Sequence, residues 1–150
     1  MNKSVEEGNK NYEAGVKKMV EMEEMVPKIH SEADLESARA IAKECMPLLD
    51  KARDAYKAVG DKFTEASNVK INDKLKEYYS TKGKKFAKRS EMAITLKEEP
   101  QALIDSKGKK EYEEKAAKVV EKVKALQKEA DELAEKAKKI ESDNKDIIKS

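Results

Sequence analysis

Apolar side chains recur through the last forty residues at alternating spacings of four and three: Tyr112, Ala116, Val119, Val123, Leu126, Ala130, Leu133, Ala137, Ile140, Asn144 and Ile147. Ten of these eleven positions are apolar or aromatic, and nearly everything between them is Lys, Glu, Asp or Ala. On an α-helix the series makes one narrow stripe, the kind of seam by which a helix packs on other helices. The spacing predicts a helix over 108–148, about 60 Å long at 1.5 Å per residue.

Three further helices are predicted upstream. The first spans 5–30, with Tyr12, Val16, Met19, Met22, Val26 and Ile29 on its inner face. Ser31 then serves as an N-cap, followed by Glu32 and Asp34 at the positive end of the helix dipole. The second helix, 32–66, carries a double row: Leu35, Ala42, Leu49, Tyr56 and Phe63 beside Ala38, Cys45, Ala52, Val59 and Ala66. The small row permits close helix approach while the large row fills the core. Pro47 lies inside this register, which continues across it, so a kink is expected there and not a break.

The third helix is predicted over 69–98, with Ile71, Leu75, Tyr79, Phe86, Ala93 and Leu96 inside. The turn before it is placed near 67–70, with Ser80-Thr81-Lys82-Gly83 as the competing site. Glu99-Pro100 is expected to end it, and Pro100 to open a short turn through Ile104. Four helices with short connections predict an all-α, up-and-down antiparallel four-helix bundle with coiled-coil-like seams, a single domain over 1–150. Because the last helix is longer than the first, an overhang for a partner is expected on it. Asn144, at a seam position, could set register or mark a partner contact, but near a fraying helix end it is expected to be solvated.

Composition supports this picture. Charged residues make up 43% and aromatics 5%, yet the apolar positions are periodic, which separates the chain from disordered sequences of similar charge. The net charge of +2 conceals −4 over residues 1–50, +5 over 51–100 and +1 over 101–150. So near-neutral a total argues against a general polyanion binder but permits a local patch. This Lys/Glu/Ala-rich helical look is shared by bacterial surface lipoproteins and parasite surface antigens, and no motif selects a family.

Candidate chemistry is sparse. Cys45 is the only cysteine and His30 the only histidine, too few for a zinc site. The residue three before His30 is Pro27, so the Glu-x-x-His pair of a di-iron bundle is missing. Haem-attachment, phosphate-loop and nucleophile-elbow motifs are absent from the sequence. Cys45 falls on the small row, where a buried structural thiol is expected in preference to a Cys45–His30 catalytic pair. An enzyme is not expected, and neither is a cofactor.

Two clusters remain. Met19, Met22 and Met25 are spaced as soft-metal ligands would be, although the first two already lie on the packing stripe. The stretch 70–89 is basic, and Lys82, Lys84, Lys85, Lys88 and Arg89 form its densest part, with Tyr78, Tyr79 and Phe86 interleaved. Thirty lysines against three arginines disfavours nucleic acid as the partner. Pairing of this stretch with the acidic first helix is the expected structural role.

The first functional expectation is thus a non-enzymatic binding or scaffold bundle that meets a protein partner through exposed helix faces, self-association included. The second is a carrier of an apolar ligand or soft metal ion. The third is polyanion or membrane-surface binding through 70–89. No stretch is apolar for the roughly 20 residues of a membrane span. The opening MNKSVEEGNKNYE has no hydrophobic leader: a native Met1 implies a cytoplasmic protein, a removed signal peptide a tethered or secreted one.

Overall fold

The computed structural model describes residues 2–148. It is an all-α four-helix bundle: α1 (Asn2–Met25), α2 (Glu32–Asn68), α3 (Asp73–Asp105) and α4 (Lys109–Asp143). The seam residues of α2 from Leu35 to Phe63 are all buried, as the double row requires. Ser31 caps α2 as expected, its Oγ accepting the Asp34 N–H at 3.2 Å while the Asp34 carboxylate accepts the His30 N–H at 3.0 Å.

Two of the departures from the predicted boundaries fall at prolines. The first helix stops at Met25, not near residue 30, and Val26–Lys28 form one turn of 3-10 helix. Pro27 has no N–H to donate and disfavours helical geometry at the residue before it. Pro47 leaves α2 unbroken; both it and Lys43, whose carbonyl it deprives of a donor, are exposed to water. Pro100, expected to end the third helix near 98, instead lies inside α3, which continues to Asp105. It is fully buried there, and packing overrides its poor helix propensity. The α2–α3 turn falls at residues 69–72, and the Ser80–Gly83 stretch is helical. Arg39 of α2 seals the end of α3, donating to the Leu103 and Ser106 carbonyls at 3.3 and 2.6 Å.

The last helix ends at Asp143, short of the predicted 148. Asn144 is a cap: its Nδ2 donates to the Ile140 carbonyl at 2.8 Å, and a turn follows in which Ile148 N–H bonds back to the Asn144 carbonyl. The turn tucks Ile148 against Tyr78, Ala137 and Ile140, so Ile148 is buried in place of the seam residue Ile147. At the other end Tyr112 packs with Val26, Leu35 and Leu103. Both ends of α4 are thus held by the bundle, and the expected overhang is not seen among the described residues.

The four sides of the bundle are unequal. Each helix packs along the next in sequence, whereas the α1 and α4 backbones scarcely approach one another. Glycines create the asymmetry. A Cβ on Gly15 would lie 2.7 Å from Leu49 Cδ2, and one on Gly8 would lie 2.8 Å from Tyr56 Cε1. Large α2 side chains therefore lie directly on the α1 backbone, drawing α1 onto α2 and away from α4. On the fourth side Tyr12 and Val16 of α1 and Val123 of α4 pack against the same buried core residues, and a cleft remains between the two helices.

Candidate functional site

Six of the seven aromatic side chains form one continuous series of ring contacts along this cleft. Centroid separations run 6.4 Å from Tyr12 to Tyr56, 6.3 Å to Phe86, 5.9 Å to Phe63, 6.2 Å to Tyr79 and 5.6 Å to Tyr78. α1 supplies Tyr12, α3 supplies the consecutive Tyr78 and Tyr79 and, two turns on, Phe86, and α2 supplies Tyr56 and Phe63 from its large row.

Three cations of α3 stand over the aromatic floor. Lys82 Nζ is 5.1 Å from the Phe63 centroid and 5.0 Å from that of Tyr78, and it donates to the Tyr78 hydroxyl at 3.1 Å. Lys85 Nζ is 5.0 Å from the Phe86 centroid. The Arg89 guanidinium is 5.6 Å from Phe86 and 5.8 Å from Tyr56. Cation–π contacts hold these groups in place but do not neutralise them.

None of the three has a carboxylate partner among the described residues. Nine lysines and arginines are half-buried among the described residues. Lys18, Arg39, Arg53, Lys88, Lys97 and Lys109 are each within 4.0 Å of a carboxylate oxygen; Lys82, Lys85 and Arg89 are not. Burial lowers the Lys85 pKa, and Arg89, Lys82 and Lys138 push it further the same way. The cleft therefore gathers three cations without a direct ion pair, Glu141 approaching Lys82 only through the Tyr78 hydroxyl, which donates to it at 3.3 Å.

Two cavities open between these groups, about one helical turn apart on α3. The upper, about 290 Å³, is lined by Asn9, Tyr12 and Glu13 of α1, Tyr56 of α2, Arg89 and Met92 of α3, and Gln127 of α4. Tyr56 donates to Asn9 Oδ1 at 2.6 Å, and Arg89 reaches the same oxygen at 3.5 Å. Burial pushes the Tyr56 hydroxyl up to about 12 and raises Tyr12, against the pull of Arg89, so both phenols remain neutral. The lower cavity, about 580 Å³, lies between Val5, Phe63, Phe86, Lys82 and Lys85 and the turn after α4 at Ile147 and Ile148.

The predicted basic patch is thereby divided. Lys82, Lys85 and Arg89 face the cleft, at spacings of three and four. Lys84 is exposed, and Lys88 bridges Glu91 at 3.4 Å and Glu129 of α4 at 2.8 Å. The expected pairing with acidic α1 is not found among the described residues; ion pairs from this stretch go to Glu77, Glu91 and Glu129. Of the methionines, Met19 packs with Cys45, Leu49 and Leu96, and Met22 with Val26, Leu35 and Leu103, while Met25 is half-buried at the edge of the second cluster. They serve two different parts of the core.

Cys45 is buried, its thiol donating to the Ile41 carbonyl at 3.4 Å, and desolvation pushes its pKa up to about 11. His30 is exposed at the α1–α2 junction, roughly 20 Å away along α2, so the two do not form a pair. A group that the sequence reading assigned to a helix break is instead a core residue. Glu99 is 3% exposed, accepts the Tyr112 hydroxyl at 2.8 Å and stands beside the Glu23 carboxyl. Burial, followed by the Glu23 hydrogen bond, raises its pKa to about 7. Its position was legible: Met92, Leu96, Glu99 and Leu103 follow the seam spacing.

No described helix is long and apolar enough to cross a membrane. Compared with protein families, curated proteins and solved structures, the chain matches none.

Proposed function

We propose that this protein is a non-enzymatic binding module whose ligand surface is the α1–α4 cleft and whose ligand is anionic. The observation that carries the reading is the set Lys82, Lys85 and Arg89: half-buried, mutually repelling and unpaired, where the other six half-buried cations are ion-paired. Like charges gathered in a partly desolvated cleft cost stability in the free protein. A bound anion would relieve that cost, and the aromatic floor offers it a non-competing apolar surface. Less supports docking through the outer helix faces. The exposed large apolar residues Val20, Val69, Ile94 and Val120 come from four different segments, the scatter common on soluble proteins.

The test uses the fluorescent aromatic anion 8-anilinonaphthalene-1-sulfonate. Binding is expected at low salt, weakened by about tenfold or more in Lys85→Glu/Arg89→Glu and unchanged in Lys84→Glu, with folding of each variant verified by circular dichroism. Equal binding by the wild type and the double variant would remove the cleft as the site.

A further inference from the structure

The two cavities differ in their walls. The upper is rimmed by Asn9, Glu13 and Gln127, all polar. Below Lys85 the walls are Val5, Phe63, Leu75, Phe86, Ile147 and Ile148, joined by Tyr78, Tyr79 and the polar Asn2. Lys82 and Lys85 are the charged residues lining the lower cavity, and no carboxylate lines it among the described residues. Its volume of about 580 Å³ lies within the range of small-molecule sites, ~300–1,000 Å³. Ten residues of α3 separate Lys85 from Leu75, giving roughly 15 Å of largely apolar wall below the cation.

These walls discriminate between ligands. A small hydrated anion would satisfy the cations and leave the apolar surface wet. A neutral apolar molecule would dry the walls and strip water from two ammonium groups that form no direct ion pair. A molecule carrying both parts answers both requirements. We infer that the ligand is a single-chain amphiphile with an anionic head, held with its head between Lys85 and Arg89. Its chain runs down α3 towards Leu75 and the closing turn at Ile148. Lys82 lies alongside that path with its ammonium over Phe63 and Tyr78. This inference rests on the anion-binding reading and narrows it to one ligand class.

The experiment is displacement of the bound fluorescent sulfonate by butyl, octyl and dodecyl phosphate and by the carboxylates of matching length, each below its critical micelle concentration. Inorganic phosphate and the neutral dodecyl maltoside are the controls. Affinity is expected to rise with chain length by up to ~fourfold per methylene until the cavity is filled, with both head groups on the same slope. Val5→Trp, which fills the lower cavity, is expected to flatten the slope while leaving butyl phosphate affinity within about twofold of the wild type. Leu75→Trp fills the same space from α3 and keeps the test open where Val5→Trp does not fold. A flat series that still depends on Lys85 would overturn the amphiphile and leave the anion-binding reading standing. Equal displacement by dodecyl maltoside would overturn the anionic head. Absence of binding by every anion, the sulfonate included, would overturn both.

Discussion

Tyr112 of α4 donates its hydroxyl to Glu99 of α3 at 2.8 Å, with both side chains buried in the seam between the two helices. A carboxyl group in such a place is costly when ionised, and a further neighbour increases the cost. Glu23 of α1 presents a second carboxyl. The neutral acid suits the site better, since it can donate to Glu23 while accepting from Tyr112.

Stability should therefore fall as pH rises from about 4.5 to about 7. An unfolded Glu ionises near 4.5, and Glu99 in the folded protein near 7. Below the first value both states hold the proton and nothing is gained. Between the two the unfolded state has lost its proton and the folded state keeps it, so folding becomes progressively less favourable until pH exceeds the folded value. Glu99→Gln keeps an acceptor for Tyr112 and a donor for Glu23 without the charge. Denaturant unfolding should show the variant close to wild type at pH 5 and more stable at pH 8, by on the order of 1–3 kcal/mol. Parallel pH curves for the two proteins would show that Glu99 does not titrate in this range.

Lys85 gives the opposite relation between binding and stability. Burial and its three cationic neighbours hold its pKa below the ordinary value, so the folded state favours the neutral amine and the charge present at pH 7 is a cost of folding. That cost diminishes only as alkaline pH removes the proton. Lys85→Met preserves the apolar stem, and the melting temperature of the free protein should rise by roughly 2–4 °C. Sulfonate binding should weaken in the same variant. A lower melting temperature would mean that the ammonium group stabilises the cleft.

Gly83 tests the close approach of α2 and α3. Glycine to alanine inside a helix ordinarily stabilises by about 0.5–1 kcal/mol. Here the added Cβ would lie 2.7 Å from Thr64 Oγ1 and 3.3 Å from both the Gly60 carbonyl and the Thr64 amide nitrogen. The hydroxyl is itself committed to the Gly60 carbonyl at 2.9 Å, and the backbone atoms of α2 do not yield independently. Gly83→Ala should reverse the usual sign and cost roughly 1–3 kcal/mol in thermal or denaturant unfolding. A gain in stability would show that the two helices separate at little cost.

Much of the molecule was written in the spacing of its apolar residues. The double row on α2 and the seam on α4 identified the buried positions because a helix repeats every 3.6 residues whatever surrounds it. The cap at Ser31 was equally local. Glu99 followed the same spacing but was passed over, since Pro100 beside it suggested a helix end. Helix propensity is a local preference of less than a few kcal/mol, and burial of Pro100 among core residues exceeds it.

The tertiary structure alone decided which helix faces meet and which remain apart. Helical spacing groups Lys82, Lys85 and Arg89 on one side of α3, but it does not say whether carboxylates stand opposite. That depended on Gly8 and Gly15, which let α2 side chains press against the α1 backbone and leave the α1–α4 side open. Interhelical distances follow from the pairing of small and large residues on different segments, a relation absent from any one stretch of chain. Periodicity determined four amphipathic helices; their unequal packing made a cationic, aromatic-floored cleft from one side of the bundle.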